Sequence, residues 1–197
     1  MGRHAGFLTA ASVLARKYEN DGPHLIYVPE APLSEEQFLA DVDRVYSKLG
    51  RCLIAVSEGV SRPDGKTWAE AMSDNLEKDA HGNIQLSGTG ALGDYLASLV
   101  SKKLKAPGGK KLRVRADTFG YLQRSFPGYL SETDAVEARQ VGVRAVQLSA
   151  DPSIAECSVY MKRVSNDPYK IELDHTSIKN VARDTKHLDP SYIENGN

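Results

Sequence analysis

The sequence predicts an α/β fold in which a parallel sheet is flanked by helices, with a hairpin near the C-terminus. A strand pattern at 24–29 is followed by a capped helical pattern at 34–49 and by a continuous apolar run at 51–57. Such an uninterrupted run is typical of a strand covered on both faces in a parallel sheet. Strand, helix and strand in this order form a βαβ unit, so we expect a Rossmann-like arrangement.

The first half of the chain supplies these elements in order. Residues 5–16 predict a helix, because apolar residues recur on one face at the 3.6-residue period. That stripe consists of Phe7, Leu8, Ala11, Leu14 and Ala15. Ser34 and Gln37 have the spacing of a capping box and start the second helix. Its buried stripe should consist of Phe38, Leu39, Val42, Val45, Tyr46 and Leu49.

The second half is less regular. Residues 58–90 are polar and predict a long excursion over the ligand-binding edge of the sheet, with a weak helical signal at 68–76. A helix is predicted at 94–104 and a strand at 111–118. Ser131 predicts the start of a helix that ends near Ser149. Two strand patterns, at 157–164 and 169–173, predict the hairpin, and the polar tail from Asp184 is expected to be frayed.

Composition and charge exclude several classes of protein. Among 197 residues, 25 Lys and Arg balance 26 Asp and Glu, for a net charge of −1. Proteins that bind nucleic acids or membrane surfaces normally carry a basic excess, so neither partner is expected. No apolar run approaches the roughly 18 residues that span a bilayer. We therefore expect a cytoplasmic protein, with Cys52 and Cys157 as buried, reduced thiols.

Three clusters put charge or glycine where α/β sheets bind ligands, beyond the carboxyl ends of the strands. Residues 1–6 place an arginine at a helix start, where free N–H groups favour anions. Glu58 directly follows the apolar run and could accept hydrogen bonds from sugar hydroxyls. The segment from Arg115 brings Tyr121 and Arg124 into one loop, where a phenol and a guanidinium suit a phosphate. Taken singly, each cluster is also explained by a solvated arginine or a capping acid.

Four motifs together resemble the phosphofructokinase family. They are Met1-Gly2-Arg3-His4-Ala5-Gly6, Ile26-Tyr27-Val28-Pro29-Glu30, Ala55-Val56-Ser57-Glu58-Gly59 and Gly120-Tyr121-Leu122-Gln123-Arg124. They occur in the order and rough spacing of that family, and the resemblance extends to about Arg183. Tyr121 stands where many ATP-using bacterial members have histidine. This tyrosine, with Ser125-Phe126-Pro127 after the arginine, looks more like the pyrophosphate-dependent branch.

The resemblance implies a glycolytic phosphotransferase that moves a phosphoryl group from pyrophosphate to the C1 hydroxyl of fructose 6-phosphate. ATP remains the alternative donor, and Mg²⁺ is the implied cofactor. A separate alternative is a non-catalytic sugar-phosphate-binding fragment that needs a partner chain.

The resemblance also implies a set of substrate-binding residues. They are Met1, Gly2, Arg3, Glu58, Tyr121 and Arg124. Among them, Arg3 would also lie near the transferring phosphoryl group as the catalytic residue, and Glu58 would bind sugar hydroxyls. Tyr121 and Arg124 would hold the 6-phosphate. Arg115 resembles the arginine that family members lend to a neighbouring subunit, which implies a homodimer or homotetramer.

In this family the donor-binding loop, the aspartate base and the magnesium-binding aspartates precede the Met-Gly-Arg element, and the chain contains none of them. We therefore expect a fructose-6-phosphate-binding lobe at 1–125, a segment packing on or returning from an absent donor lobe at 126–183, and a tail at 184–197. Phosphoryl transfer needs a base and charge neutralisation, so the isolated chain should be catalytically silent. Its helix at 133–149 and hairpin at 157–173 should expose apolar surface.

Three weaker patterns favour structural interpretations. Gly88, Gly90 and Gly93 fit a dinucleotide-binding motif, but the residues before them are weak as a strand, which favours a loop and helix cap over an oxidoreductase site. The five histidines have no spacing that indicates zinc. The lysine-rich residues at 102–111 are expected to form a solvated face.

Overall fold

The structure, a computed structural model, describes residues 4–68, 90–120, 125–154, 156–181 and 185–194. The chain divides into two units. The first comprises Met1–Gly120 with Thr185–Asn197, and the second comprises Tyr121–Asp184. The first contains the parallel strands and the main core, and the second contains one long helix and an antiparallel hairpin.

The first unit is built on the predicted βαβ arrangement. Strand β1 (Leu25–Tyr27) pairs in parallel with β2 (Ile54–Val56), and Leu25 lies opposite Ile54. Helix α2 (Glu35–Leu49) connects them. The α/β class with a parallel sheet is thereby confirmed. Strand β1 is fully buried, whereas β2 is only partly buried, so the coverage expected for the 51–57 run is incomplete.

Local signals explain the bounds of α2. The Ser34 hydroxyl accepts a hydrogen bond from the Gln37 N–H at 3.1 Å, as the capping pattern predicts. Gly50 ends the helix with φ of 66°, a left-handed conformation that favours glycine. The face that α2 turns to the core buries Phe38, Val42 and Val45.

A row of aromatic rings crosses the core of the first unit. Tyr27, Phe38, Trp68 and Tyr95 follow one another with centroid separations of 5.8, 6.2 and 6.1 Å. The tilted and edge-on geometries are those that aromatic pairs prefer. Trp68 is 2% exposed, and its indole N–H donates to the Leu33 carbonyl at 2.9 Å. This row ties β1, α2, Trp68 and helix α3 (Ala91–Lys103) into one core.

Asp41 is a buried carboxylate on α2. Its oxygens accept hydrogen bonds from the Tyr27 hydroxyl at 3.1 Å and from the Arg44 guanidinium at 2.9 Å. Burial, and next the charge of Asp41, raise the pKa of Tyr27 well above its ordinary value. Cys52 lies nearby as a free, half-buried thiol, and burial raises its pKa to about 11. Cys157 is likewise free and half-buried, so both thiols are more accessible than expected.

The second unit contains helix α4 (Glu132–Ser149) and the hairpin of β3 (Ser158–Asn166) and β4 (Tyr169–Thr176). The Ser131 hydroxyl accepts from the Asp134 N–H at 3.2 Å, which confirms the predicted cap. The strands pair antiparallel from Ser158 opposite Thr176 to Asn166 opposite Tyr169, so the C-terminal hairpin is also confirmed. The Tyr169 hydroxyl donates to Glu137 at 3.0 Å and joins hairpin to helix.

Several predicted elements differ from the structure. The helix expected at 5–16 is α1 (Phe7–Ala11) followed by a 3₁₀ turn at Ser12–Ala15, and its apolar stripe is largely exposed. Residues 111–118 do not form the expected strand, because their described backbone pairing is an isolated bridge between Lys105 and Lys111. Most of the excursion predicted at 58–90, including its weak helix beyond Trp68, lies outside the described residues.

The C-terminal segment also differs from the expected frayed tail. Among residues 185–194, Leu188 is 7% exposed and packs with Ile26, Val28 and Ala31 in a second apolar cluster. A 3₁₀ turn at Pro190–Tyr192 is capped by the Asp189 carboxylate, which accepts from the Ser191 N–H. The apolar contact of Leu188 holds this segment against β1, and the cap stabilises its 3₁₀ turn. Neither is visible in a local, mostly polar sequence.

No helix within the described ranges is long and apolar enough to cross a membrane.

Candidate functional site

The carboxyl ends of β1 and β2 form the edge at which a ligand site is expected. Because the strands are parallel, Tyr27 and Val56 end at the same edge, where parallel α/β sheets bind ligands. The Ser57 N–H donates to the Tyr27 carbonyl at 3.0 Å and extends the pairing by one residue. The predicted residue Glu58 follows directly in the turn that leads to Val60.

The turn that carries Glu58 is held by its own hydrogen bonds. The Val60 N–H donates to the Ser57 carbonyl at 3.1 Å, and the Gly59 N–H approaches the Ser57 hydroxyl at 3.4 Å. Val60 is fully buried. Glu58 itself is partly exposed at this edge. A carboxylate in this position can accept hydrogen bonds from hydroxyl groups of a ligand.

The loops after the two strands are bonded to each other. The Ser61 hydroxyl donates to the Pro29 carbonyl at 3.4 Å, and the Leu33 N–H donates to the Ser61 carbonyl at 2.8 Å. The Trp68 N–H then pairs with the Val60 carbonyl at 3.1 Å. These bonds fix the edge and therefore hold Glu58 on a supported turn.

Glu30 anchors the N-terminal segment at the same edge. Its Oε1 accepts hydrogen bonds from the Gly6 N–H at 2.9 Å and from the Leu188 N–H at 2.8 Å. The side chain is only 8% exposed. Gly6 is buried so closely that a Cβ on it would lie 2.5 Å from the Val28 Cβ. Glycine is therefore required at residue 6 by the close approach of the two backbones.

The electrostatics of Glu30 favour its ionised form. Burial on its own would raise the pKa of this carboxyl, but the Leu188 and Gly6 N–H donors and the nearby His187 hold the pKa below its ordinary value. The His187 Nδ1 lies 3.8 Å from Oε1. Within the described part of the chain, the buried Oε2 has no hydrogen-bond partner. The two backbone donors therefore carry the stabilisation of the charged side chain.

Arg115 lies on an extended segment that runs along α3. Leu112 is buried, Val114 packs against the core, and the Ala116 Cβ would lie 3.1 Å from a Cβ placed on Gly93. In an extended chain alternate side chains point to opposite faces, so Arg115 points outward. Its guanidinium is exposed, and no residue of the described ranges pairs with it.

Most of the predicted site residues lie outside the described residues. They are Met1, Gly2, Arg3, Tyr121 and Arg124. The structure describes the two points from which these segments continue: Gly6 is anchored to Glu30, and Gly120 ends the extended segment with φ of 56°.

Glu30 belongs to one of the four motifs, but the sequence indicates no role for it, and no pattern in the sequence singles out Leu188. An acidic residue directly after Pro29 is the local signal in the sequence, and it does not indicate Gly6 or Leu188 as partners.

The glycine motif at 88–93 has a structural role where it is described. Gly90 is the N-cap of α3 with φ of 68°, and Gly93 leaves room for Ala116. This confirms the cap interpretation for Gly90, whereas Gly93 lies in the first turn of α3 and Gly88 lies outside the described residues. The predicted lysine face is exposed at 102, 103, 105, 110 and 111. Across the described ranges, no three His, Cys, Asp or Glu side chains cluster to hold a metal ion.

The chain belongs to the phosphofructokinase family. The family model described as phosphofructokinase matches residues 1–149. This confirms the resemblance that the four sequence motifs indicate.

Individual relatives add to this assignment. The chain is 48% identical over 193 residues to the pyrophosphate–fructose 6-phosphate 1-phosphotransferase of Rhodospirillum rubrum, covering 98% of this chain and 46% of the relative. It is 35% identical to the protein of the same name from Halomonas elongata, covering 98% and 43%. A sulfofructose kinase of Alkalicoccus urumqiensis is 32% identical, with coverage of 98% and 46%. The chain thus spans less than half the length of these relatives.

Solved structures agree with the sequence comparison. The pyrophosphate-dependent phosphofructokinase of Marinobacter aquaeolei superposes with a TM-score of 0.69 at 28% identity, covering all of this chain and 42% of that one. The enzyme of the same description from Nitrosospira multiformis gives 0.68 at 29% identity, with the same coverage. The fold of the chain is therefore that of these phosphofructokinases over the matched part.

Proposed function

We propose that this chain is the sugar-phosphate-binding part of a pyrophosphate-dependent phosphofructokinase. The whole enzyme would transfer a phosphoryl group from pyrophosphate to the C1 hydroxyl of fructose 6-phosphate, yielding fructose 1,6-bisphosphate in cytoplasmic glycolysis. The observation that carries the proposal is the family match over residues 1–149, combined with Glu58 on a supported turn at the carboxyl edge of the parallel strands.

In this proposal each site residue has a distinct role. Glu58 accepts hydrogen bonds from sugar hydroxyls, and Tyr121 and Arg124 bind the 6-phosphate. Met1 and Gly2 contribute substrate contacts, and Arg3 also stabilises the charge that develops on the transferring phosphoryl group. A guanidinium fork matches phosphate oxygens in geometry as well as charge, which suits both arginines.

The oligomer belongs to the same proposal. Arg115 is exposed and has no partner among the described residues. It is thus available to reach the 6-phosphate at a neighbouring subunit, and the active form would be a homodimer or homotetramer. Residues 1–125 would form the substrate lobe, 126–183 would pack on or return from the donor lobe, and 184–197 would form the C-terminal tail.

Magnesium chemistry is not assigned to this chain. Within the described ranges no three His, Cys, Asp or Glu side chains cluster, and no described residue is assigned as a magnesium ligand. Magnesium, which neutralises charge in phosphoryl transfer, would be held by the part of the protein that binds the donor. No step assigned to the residues above depends on the metal.

Pyrophosphate is the preferred donor because the relatives that match over 98% of the chain at 32% identity or more include four named for it. The relative named as an ATP-dependent 6-phosphofructokinase is 27% identical over 129 residues. A relative of equal coverage is named for a different sugar, sulfofructose. Fructose 6-phosphate and sulfofructose must therefore be compared directly.

The test is a steady-state assay of the full-length gene product, with pyrophosphate and ATP as donors and both sugars as acceptors. We expect turnover of fructose 6-phosphate with pyrophosphate and little with ATP. The isolated 197-residue chain, assayed in parallel, should give none. Turnover supported by ATP alone, or by sulfofructose alone, would contradict the proposal. Turnover by the isolated chain would contradict the division of roles between the two parts.

A further inference from the structure

Glu30 holds together three segments that are distant in the sequence. Its Oε1 accepts from Gly6, 24 residues before it, and from Leu188, 158 residues after it. Glu30 lies three residues after the end of β1, at the same edge as the turn of Glu58. A single buried oxygen therefore fixes both the N-terminal and the C-terminal segments against β1.

The anchored residue Gly6 is close in sequence to the proposed substrate contacts. Successive Cα atoms are 3.8 Å apart, so a residue three positions before Gly6 has its Cα within about 11 Å of the Gly6 Cα. Arg3 is that residue. On the other side, the Gly6 carbonyl accepts from the Ala10 N–H at 2.8 Å and starts α1. Fixing Gly6 therefore limits where the Met1–Arg3 element can reach.

The side-chain environment indicates that this arrangement is maintained. Hydrogen bonds to a charged group contribute more to stability than hydrogen bonds between neutral groups. Leu188 adds apolar burial next to Ile26 and Val28, and no Cβ fits at residue 6. Burying a carboxylate until it is 8% exposed costs free energy, and the hydrogen bonds from the two backbone donors offset that cost.

We propose that Glu30 is a positioning residue for fructose 6-phosphate binding, because it clamps the Gly6 and Leu188 backbones at the edge of the sheet that also carries the turn of Glu58. This inference rests on the proposed function for its substrate. It adds that the C-terminal segment at 185–194 supports the substrate site, a role that neither the sequence pattern nor the comparisons assign to it.

Three variants separate positioning from simple structural support. Glu30→Leu keeps an apolar shape of similar size but removes both acceptors. Glu30→Gln keeps one carbonyl oxygen in the Oε1 position and should restore part of the function. Glu19→Gln removes the same charge from an exposed side chain of the first unit and is the matched control.

The first measurement is amide hydrogen exchange of the 197-residue chain. In Glu30→Leu, exchange at Gly6 and Leu188 should speed up by at least about tenfold, since one charged hydrogen bond is lost at each. Glu30→Gln should lie between Glu30→Leu and the wild type, and Glu19→Gln should match the wild type. Unchanged protection in Glu30→Leu would overturn the clamp.

The second measurement is the kinetics of the full-length gene product. Glu30→Leu should raise KM for fructose 6-phosphate by about tenfold and leave KM for pyrophosphate within about twofold, with partial rescue by Glu30→Gln. Loss of protection without a change in KM for fructose 6-phosphate would show a purely structural clamp and overturn the positioning role. Absence of any turnover in the wild type would refute the proposed function instead, and amide exchange would still decide whether Glu30 clamps the two segments.

Discussion

Replacing Gly6 with alanine tests the close packing of the N-terminal segment against β1. An ideal Cβ at residue 6 would lie 2.5 Å from the Val28 Cβ and 2.7 Å from both the Val28 Cγ1 and the Glu30 Oε2. Real Cβ atoms do not approach backbone-fixed atoms this closely. The Cβ of Val28 is fixed by its own backbone, so rotation of the valine side chain does not relieve the contact.

Two effects set the expected magnitude. Overpacking a well-packed site costs about 1–3 kcal/mol. Moving residue 6 away also weakens its N–H bond to the Glu30 carboxylate, and such a charged hydrogen bond contributes about 1.5–3 kcal/mol. Because the short segment around α1 can shift to relieve the clash, we expect the free energy of unfolding to fall by about 2–4 kcal/mol, below the full sum.

The assay is urea unfolding, followed by the fluorescence of Trp68. This is the chain's single tryptophan, and it is buried in the first unit, so its emission reports on that unit. Amide exchange at Leu188 reports on the local clamp. Gly142→Ala is the matched control, followed by circular dichroism, because nothing lies within 4 Å of a Cβ placed there in the middle of α4.

The control substitution should raise the free energy of unfolding, whereas Gly6→Ala should lower it. Alanine is favoured over glycine inside a helix by about 0.5–1 kcal/mol, so Gly142→Ala should stabilise the second unit. The reasoning is refuted if Gly6→Ala unfolds within about 0.5 kcal/mol of the wild type and leaves Leu188 protection unchanged, since ordinary surface substitutions fall in that range.

Four further outcomes are expected. Trp68→Phe removes the donor to the buried Leu33 carbonyl and should cost about 1–3 kcal/mol by circular dichroism; no loss would contradict that bond's contribution. With a pKa of about 11, Cys52 should react with iodoacetamide about tenfold faster for each pH unit between pH 8 and 10. The contribution of the protonated Cys52 thiol to the free energy of unfolding should be lost as pH rises from 9.0 through 11. A reaction rate that reaches a plateau near pH 9 would contradict the raised pKa of Cys52. Because its pKa is depressed, the stabilisation by Glu30 should be present above pH 4.5 and lost below it, so the stability difference between wild type and Glu30→Gln should shrink on acidification rather than stay constant. The exposed valines of α4 should cause self-association in light scattering; a monodisperse monomer would contradict this.

Elements with local signals could be predicted from the sequence. The Ser34 cap, the apolar stripe of α2 and the glycine at its end specify that helix within a few residues. The Ser131 cap does the same for α4. These signals depend only on neighbours in sequence, so they specify the helix ends independently of the rest of the fold.

The segment at 111–118 shows where local pattern is insufficient. Its alternation correctly places Leu112 and Val114 toward the core and Arg115 outward. A strand also needs a neighbour with which to pair. Along the described residues this segment has only the single bridge at Lys111, so an alternating pattern produced an extended chain without a sheet.

The clamp at Glu30 could not be predicted at all. Gly6 and Leu188 meet on one carboxylate across the length of the chain, and no periodicity links them. The apolar stripe predicted for α1 is largely exposed for a related reason. An amphipathic pattern shows that a helix face can be buried, but it does not show what covers that face. The prediction that α4 and the hairpin expose apolar surface is confirmed, since Val143, Val146 and Met161 are each more than half exposed.

The most direct test of the central claim is a selective loss of sugar binding in the full-length gene product. Arg124→Ala and Glu58→Gln should each raise KM for fructose 6-phosphate at least about tenfold, because each removes a proposed contact to the sugar phosphate and no proposed contact to the donor. KM for pyrophosphate should stay within about twofold. An equal rise in both constants, or no change in KM for fructose 6-phosphate, would contradict the assignment of the sugar-phosphate site to this chain.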